Sequence, residues 1–146
     1  MRLSLVRAPQ SPDPQADQGA HRFTYALLPG VDIAQTVAQA YELNLPLRLR
    51  VGRDTIAPPL VNVAGPAVVV ESVKLADDRS GDVVVRLYEA LGARVTTTVR
   101  LGFTATRADA VDLLERRIGA AELAGREVAI TLRPFQILTL RFARGQ

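Results

Sequence analysis

The pattern of apolar and polar positions along the chain predicts short β-strands over most of its length. Segment 94–103 has the clearest pattern, because apolar and polar residues alternate one position at a time. Val95, Val99 and Phe103 fall on one face of such a strand, and Thr96 falls on the other. This alternation is typical of a strand with one buried and one wet face that pairs antiparallel with its neighbours.

Further strands are predicted where similar alternation lies between turn residues. Their expected ranges are 3–6, 21–28, 47–51, 67–75, 82–91, 127–132 and 135–142. Only Arg133 and Pro134 separate the last two, so these are either two strands or one strand with a bend. Segment 108–125 is predicted to be mostly loop, because Gly119 and Gly125 interrupt its weak helical pattern.

One short helix is predicted at about residues 32–43, where apolar residues recur at helical spacing. Asp32 and Gln35 can form a capping box at its start, and Pro46 disfavours helical geometry in the residue before it. The predicted fold class is therefore all-β: an antiparallel β-sandwich of about eight strands with one short helix. We expect residues 1–146 to form a single domain.

Composition and charge place the chain among ordinary globular domains. It has 146 residues, of which 48% are hydrophobic and 23% charged, and its formal net charge is +3. The basic residues are nearly all arginines scattered along the chain, for example Arg48, Arg117, Arg141 and Arg144. This distribution indicates solvated strand edges and no nucleic-acid partner, since nucleic-acid binding needs a clustered basic face.

Several classes of site and location are disfavoured by what the sequence lacks. The chain contains no cysteine, which excludes disulfides and thiolate metal ligands. No apolar run approaches the roughly 20 residues that span a bilayer, and the N-terminus does not resemble a targeting segment. We therefore expect no membrane partner and a cytoplasmic location.

Candidate chemistry is concentrated in the loop PDPQADQGAHRF at 12–23 and the residues just before it. Two readings of its aspartates remain open: they cap turns beside a glycine with positive φ, or the loop leans into a site shared with another domain. The candidate residues for a substrate cleft or a domain interface are Arg7, Asp13, Asp17, Gln18, Gly19 and His21.

No complete catalytic or metal constellation is recognisable in the sequence. His21 is the only histidine, so a zinc site within the chain would need an unusual set of ligands, and a hydrogen-bonded structural role is expected instead. There is no nucleophile elbow and no phosphate-binding loop. Sugar stacking is poorly supported, because tryptophan is absent and Tyr25, Tyr41 and Tyr88 are expected to be partly buried.

Several segments, in this order and spacing, resemble the C-terminal region of glycoside hydrolase family 38, the bacterial and fungal vacuolar type of α-mannosidase. The resemblance covers nearly the whole chain, and ADQGAHRFTYAL is its most specific part. The matching segments are LSLVRAPQSPDPQADQGAHRFTYALLPG at 3–30, AYELNLPLR at 40–48, VVVESVKLADD and VVVRLYEALG within 68–92, VDLLER at 111–116, and LRPFQILTLRF at 132–142. At Gly30 the chain departs from the histidine expected after the proline.

The resemblance implies a β-domain of a retaining, zinc-dependent α-mannosidase whose zinc and aspartate nucleophile belong to an N-terminal α/β catalytic domain absent from this chain. We expect no catalytic residue and no cofactor in the chain itself. Its implied partners are that catalytic domain and, through the parent enzyme, mannose-containing glycans. Arg7, Asp17, Gln18 and His21 could then face the cleft. The alternatives are a stand-alone carbohydrate-binding module without hydrolytic activity, and a fragment that forms a homodimer.

Overall fold

The computed structural model describes residues 2–45, 47–49, 51–52 and 58–145. The chain forms two compact units, Met1–Arg48 and Leu49–Gln146, which are called here the N-terminal unit and the β-sandwich. Among the described residues, the N-terminal unit contains one helix and the β-sandwich contains nine strands. No helix in the described part of the chain is long and apolar enough to cross a membrane.

Helix α1 spans Ile33–Asn44, close to its predicted range. The predicted capping box is present: Asp32 Oδ1 accepts a hydrogen bond from the Gln35 amide at 2.8 Å, and Gln35 Oε1 accepts from the Asp32 amide at 2.9 Å. At the other end, the Leu45 amide donates to the Tyr41 carbonyl at 2.8 Å. None of the helical residues is buried.

The strands predicted at 3–6 and 21–28 are not formed, since neither segment is hydrogen-bonded into a sheet within the described chain. A strand requires a partner that accepts and donates its backbone hydrogen bonds, and alternating side chains do not supply one. The strand predicted at 47–51 is also absent from 47–49 and from Val51, whereas Arg50 lies outside the described residues.

The β-sandwich consists of two antiparallel sheets, as predicted. One has four strands in the order β1-β4-β8-β7, and the other has five in the order β2-β3-β9-β5-β6. The strands are β1 Val61–Val63, β2 Val68–Leu75, β3 Val83–Glu89, β4 Val95–Leu101, β5 Ala105–Val111, β6 Arg117–Ala121, β7 Leu123–Ala124, β8 Glu127–Leu132 and β9 Ile137–Arg144.

One apolar core lies between the two sheets and draws on both. The Phe142 ring on β9 is fully buried and meets the half-buried Phe103 ring edge to face, with centroids 6.2 Å apart. Segment 94–103 contributes as its alternation predicted, because Val99 and Leu101 are buried and Arg100 is exposed. The other fully buried apolar side chains of the core are Val85, Leu87, Val128, Leu132 and Leu140.

The prediction that 108–125 is mostly loop is wrong, because β5, β6 and β7 occupy most of this segment. Two register shifts break the pattern: β5 has an extra residue, Thr106, against β9, and β6 has an extra residue, Ile118, against β5. Each extra residue in a bulge moves the following side chains to the opposite face, so the alternation of apolar and polar positions is broken in sequence.

The last two predicted strands are separate strands in different sheets, which settles the choice between two strands and one bent strand. β8 pairs with β4, whereas β9 pairs with β3 and β5. Between them the Gln136 amide donates to the Arg133 carbonyl at 3.0 Å, and Phe135 has a φ of 57°. This turn carries the chain across the core from one sheet to the other.

Candidate functional site

The loop at 7–21 is held together by its two aspartates. Asp13 Oδ1 accepts a hydrogen bond from the Gln15 amide at 2.9 Å, two residues further on. Asp17 Oδ2 accepts from the Ala8 amide at 3.1 Å, nine residues back. A bond to the amide two residues further on stabilises a turn, which is the turn-capping role for Asp13, whereas the Asp17 contact closes the loop across nine residues.

Two further polar side chains of this loop, those of Gln18 and His21, also contact its backbone. Gln18 Nε2 donates to the Pro14 carbonyl at 3.1 Å, and His21 Nε2 lies 2.7 Å from the Asp17 carbonyl. A carbonyl can only accept, so Nε2 of His21 carries the proton in this contact. Gly19 has a φ of 122°, a backbone conformation that residues with a side chain rarely adopt. The loop thus has a defined local shape.

The structure brings Asp17, Gln18, Gly19 and His21 into one turn, and all six candidate residues are exposed. The His21 ring stacks on Phe23 with centroids 5.8 Å apart. Within the described chain, no group of three or more histidine and carboxylate side chains is placed to hold a metal ion. The residues present therefore do not fit a zinc site in this loop or elsewhere in the described residues.

The β-sandwich contains ionic clusters that the sequence did not reveal. Asp109 on β5 is buried and forms ion pairs with two arginines. Nε of Arg117 lies 2.7 Å from its Oδ1, and Nε of Arg107 lies 2.8 Å from its Oδ2. The hydrogen bond from Arg117, together with that from Arg107, holds the pKa of Asp109 below its ordinary value despite burial. Only the pair of Arg107 and Asp109 had a signal in the sequence, because residues two apart in a strand project from the same face.

Arg141 on β9 forms a second cluster, with the β2–β3 turn. Its Nε lies 2.7 Å from Asp82 Oδ2, and its Nη2 lies 2.6 Å from Asp78 Oδ2 and 3.0 Å from Ser80 Oγ. Hydrogen bonds from the Ser80 side chain and amide, and then from Arg141, lower the pKa of Asp78 to about 2. The Arg141 side chain is only 19% exposed, so the expectation of a solvated edge is wrong at this position: an arginine fixed by two carboxylates can be largely covered.

Glu89, at the end of β3, is a buried carboxylate whose partners are backbone amides. Its Oε1 accepts from Leu91 at 2.8 Å, and its Oε2 accepts from Gly92 at 2.8 Å and from Phe135 at 2.9 Å. Burial raises the pKa of Glu89. The hydrogen bonds from the backbone amides of these three residues and of Ala93 lower it by more, so the net pKa lies below its ordinary value. The carboxylate therefore ties the β3–β4 turn to the β8–β9 turn.

A third ionic contact fixes the turn between β5 and β6. Glu115 in this turn contacts Lys74 on β2, and its Oε2 accepts from the Asp77 amide at 2.9 Å. The hydrogen bond from Lys74 to Asp77, and then that to Glu115, raises the pKa of the lysine. Because β9 and β3 lie between β5 and β2 in the sheet, this turn crosses the sheet to reach its partner.

The predicted partial burial of the tyrosines is confirmed for two of the three. Tyr41 and Tyr88 are half-buried as expected, but Tyr25 is 69% exposed. Burial of an alternating segment requires a surface to cover it, and 21–28 has no strand partner in the described chain. The prediction of partial burial is therefore wrong for Tyr25.

The fold and these contacts define an all-β, two-sheet sandwich domain whose best-fixed carboxylates are bound by arginine, lysine or backbone amides. Residues 67–140, which cover most of this sandwich, match the sequence model of the family described as glycosyl hydrolases family 38 C-terminal beta sandwich domain. The chain belongs to this family.

Relatives of known name agree with this assignment. The chain is similar to the protein named Alpha-mannosidase 2C1 of Homo sapiens, at 41% identity over 94% of the chain and 14% of that protein. It is also similar to Alpha-mannosidase of Saccharomyces cerevisiae, at 29% identity over 97% of the chain and 15% of that protein, and to Alpha-mannosidase G of Dictyostelium discoideum, at 29% over 96% and 14%. The chain thus spans about one seventh of the length of these curated relatives.

Proposed function

We propose that this chain is the C-terminal accessory part of a zinc-dependent, retaining α-mannosidase, which packs on the catalytic domain and stabilises it. The similarity to α-mannosidases extends over 94% or more of the chain but only 14% to 15% of each relative. In this proposal the hydrolysis of α-linked mannose is carried out by the remainder of the longer protein, and residues 1–146 act together as its accessory region.

The structural role is supported chiefly by the state of the carboxylates in the β-sandwich. Retaining glycosidases need two carboxyl groups about 5 to 5.5 Å apart on either side of the sugar bond. The buried carboxylates of Asp109 and Glu89 are instead saturated by arginines and by backbone amides, respectively. A carboxylate held in this way with a lowered pKa is a poor general acid, because it does not carry a proton near neutral pH.

The zinc of the parent enzyme is proposed to lie in its catalytic domain, outside this chain. The support is chemical: zinc favours sets of histidine, cysteine and carboxylate ligands, and the only histidine here is bonded to the Asp17 carbonyl. No step of the reaction is assigned to residues of this chain. The loop at 7–21 is proposed to shape the rim of the cleft through exposed side chains such as Arg7.

Hydrolysis of an aryl α-mannoside tests this proposal. The chain 1–146 should give no turnover with or without added zinc, whereas the longer protein should be active. In the longer protein, substitution of core residue Leu87 by alanine should lower thermal stability and active yield together. Steady turnover by the chain alone, lost when one of its own residues is substituted, would show that the proposal is wrong.

A stand-alone carbohydrate-binding module is the second candidate, and the exposure of Tyr25 beside the stacked pair of His21 and Phe23 favours it. Titration of the chain with mannobiose while tyrosine fluorescence is recorded separates the two candidates. Saturable binding that Tyr25→Ala removes would support the module, and no binding at millimolar sugar would support the accessory role. Sedimentation of the same sample tests the proposed homodimer.

A further inference from the structure

Segment 21–28 of the N-terminal unit has the side-chain pattern of a β-strand but no strand partner. Phe23, Tyr25 and Leu27 occupy every second position, and their exposed fractions are 45%, 69% and 67%. In an extended chain these three side chains lie on one face, about 7 Å apart. All three side chains are open to solvent, which is unusual for apolar residues at strand spacing.

The backbone of the same segment is equally unpartnered. Within the described chain, no backbone hydrogen bond involves residues 22–28, and the segment belongs to neither sheet. An extended segment with free amides and carbonyls and an apolar face is the form in which a chain adds to the edge of a sheet. The helix that follows, α1, likewise has no buried residue. Both features indicate a surface that normally lies against other protein.

We infer that residues 21–28 form a β-strand that completes a sheet contributed by the remainder of the longer enzyme. This inference rests on the proposed function. The occupant is assigned to the same protein because the chain spans only 14% to 15% of its curated relatives, which leaves most of the polypeptide available to supply a sheet. An eight-residue strand extends about 26 Å, so it can pair along the whole of an ordinary strand.

Amide hydrogen exchange in the longer protein tests the inference, with the chain 1–146 alone as the reference. Amides within 22–28 should exchange at least roughly 100-fold more slowly in the longer protein, because sheet hydrogen bonds must open before exchange. An edge strand would protect alternate amides, whereas a central strand would protect nearly all of them.

A matched pair of substitutions distinguishes this strand from general destabilisation. Leu27→Asp in the longer protein should restore fast exchange in 22–28, since it places a charge on the covered face. Leu113→Asp is the control, because Leu113 has a similar exposed fraction, 62% against 67%, but lies in the β5–β6 turn. It should leave the protection of 22–28 unchanged.

Two results would overturn the inference. One is equally fast exchange of 22–28 in the chain alone and in a longer protein that retains its activity, which would leave the proposed function standing. The other is protection in the chain alone that appears together with a dimer in sedimentation, because the occupant would then be a second copy. Failure of the proposed function has a different signature, namely turnover by the chain alone.

Discussion

Replacement of Phe142 by alanine is expected to cause a large loss of stability in the β-sandwich. The Phe142 ring is fully buried between the two sheets, and it meets the Phe103 ring edge to face at 6.2 Å. β9 is paired on both sides, with β3 and with β5, so the backbone at this position has little freedom to collapse into the space left by the ring. A cavity is therefore the expected result.

The magnitude follows from three contributions. Full burial of a phenylalanine side chain is worth about 1.5 to 3 kcal/mol from removal of apolar area from water. The lost edge-to-face contact adds about 0.5 to 1.5 kcal/mol, and the unfilled cavity brings measured Phe→Ala changes to about 3 to 5 kcal/mol. We expect a decrease of about 4 kcal/mol in the free energy of unfolding, which is a large part of the roughly 5 to 15 kcal/mol typical of a domain.

The assay is urea unfolding of the chain followed by circular dichroism in the far ultraviolet, with Phe135→Ala as the matched control. Phe135 is 70% exposed, and its amide, which donates to Glu89, survives the substitution. The control should therefore change the free energy of unfolding by less than about 1 kcal/mol. Equal effects of the two substitutions would refute the assignment of Phe142 to a closed core between the sheets.

Three further predictions concern a carboxylate, two glycines and a helix cap. Glu89 has a lowered pKa in the folded state, so its contribution to stability is present above its unfolded pKa of about 4.3 and is lost as the pH falls through the folded value. Glu89→Gln should therefore destabilise the chain at pH 7. On acidification below the unfolded pKa, the stability of this variant should fall less steeply than that of the wild type, with up to one fewer proton taken up on unfolding. Gly102→Ala should destabilise by about 1 to 3 kcal/mol in urea unfolding, because its Cβ would clash with the Pro59 carbonyl oxygen. Gly119→Ala is the matched control: its Cβ would meet no atom within 4 Å, so it should be neutral or stabilising by up to about 1 kcal/mol. Asp32→Ala should reduce the stability of α1 by about 1 kcal/mol and lower the helical signal at 222 nm, and an unchanged signal would contradict the observed capping box.

The sequence predicts best those parts of the fold that depend on local patterns. The helix depends on the capping pair Asp32 and Gln35, which are three residues apart, and it was placed to within one or two residues. Strands β2, β3 and β4 are rich in valine or alternate regularly, lie between clear turns, and were placed to within two residues. In each case the pattern that identifies the element lies within a few residues, so a window of sequence contains the necessary information.

Prediction failed where the deciding partner is distant in sequence. The register shifts of β5 and β6 are defined only by their pairing with β9 and with each other, so the irregular alternation of this segment was taken for loop. The partners of Glu89 and Asp109 are equally hard to foresee: the Phe135 amide lies 46 residues from Glu89, and Asp109 is fixed partly from β6, which was not predicted. Tertiary pairing of this kind leaves little signature in a single sequence.

The strand predicted at 21–28 belongs to a different category from the misassigned loop at 108–125. In the latter, the structure shows the strands and their partners, so the sequence pattern was misread. At 21–28 the alternation of Phe23, Tyr25 and Leu27 is plain in the sequence, and the structure shows these side chains exposed in a segment that joins neither sheet. Exposed apolar area of this kind is unfavourable in water by roughly 25 cal/mol per Å², so such a segment is stabilised by a surface that covers it. The local pattern and the absent partner thus both support the inferred strand at 21–28.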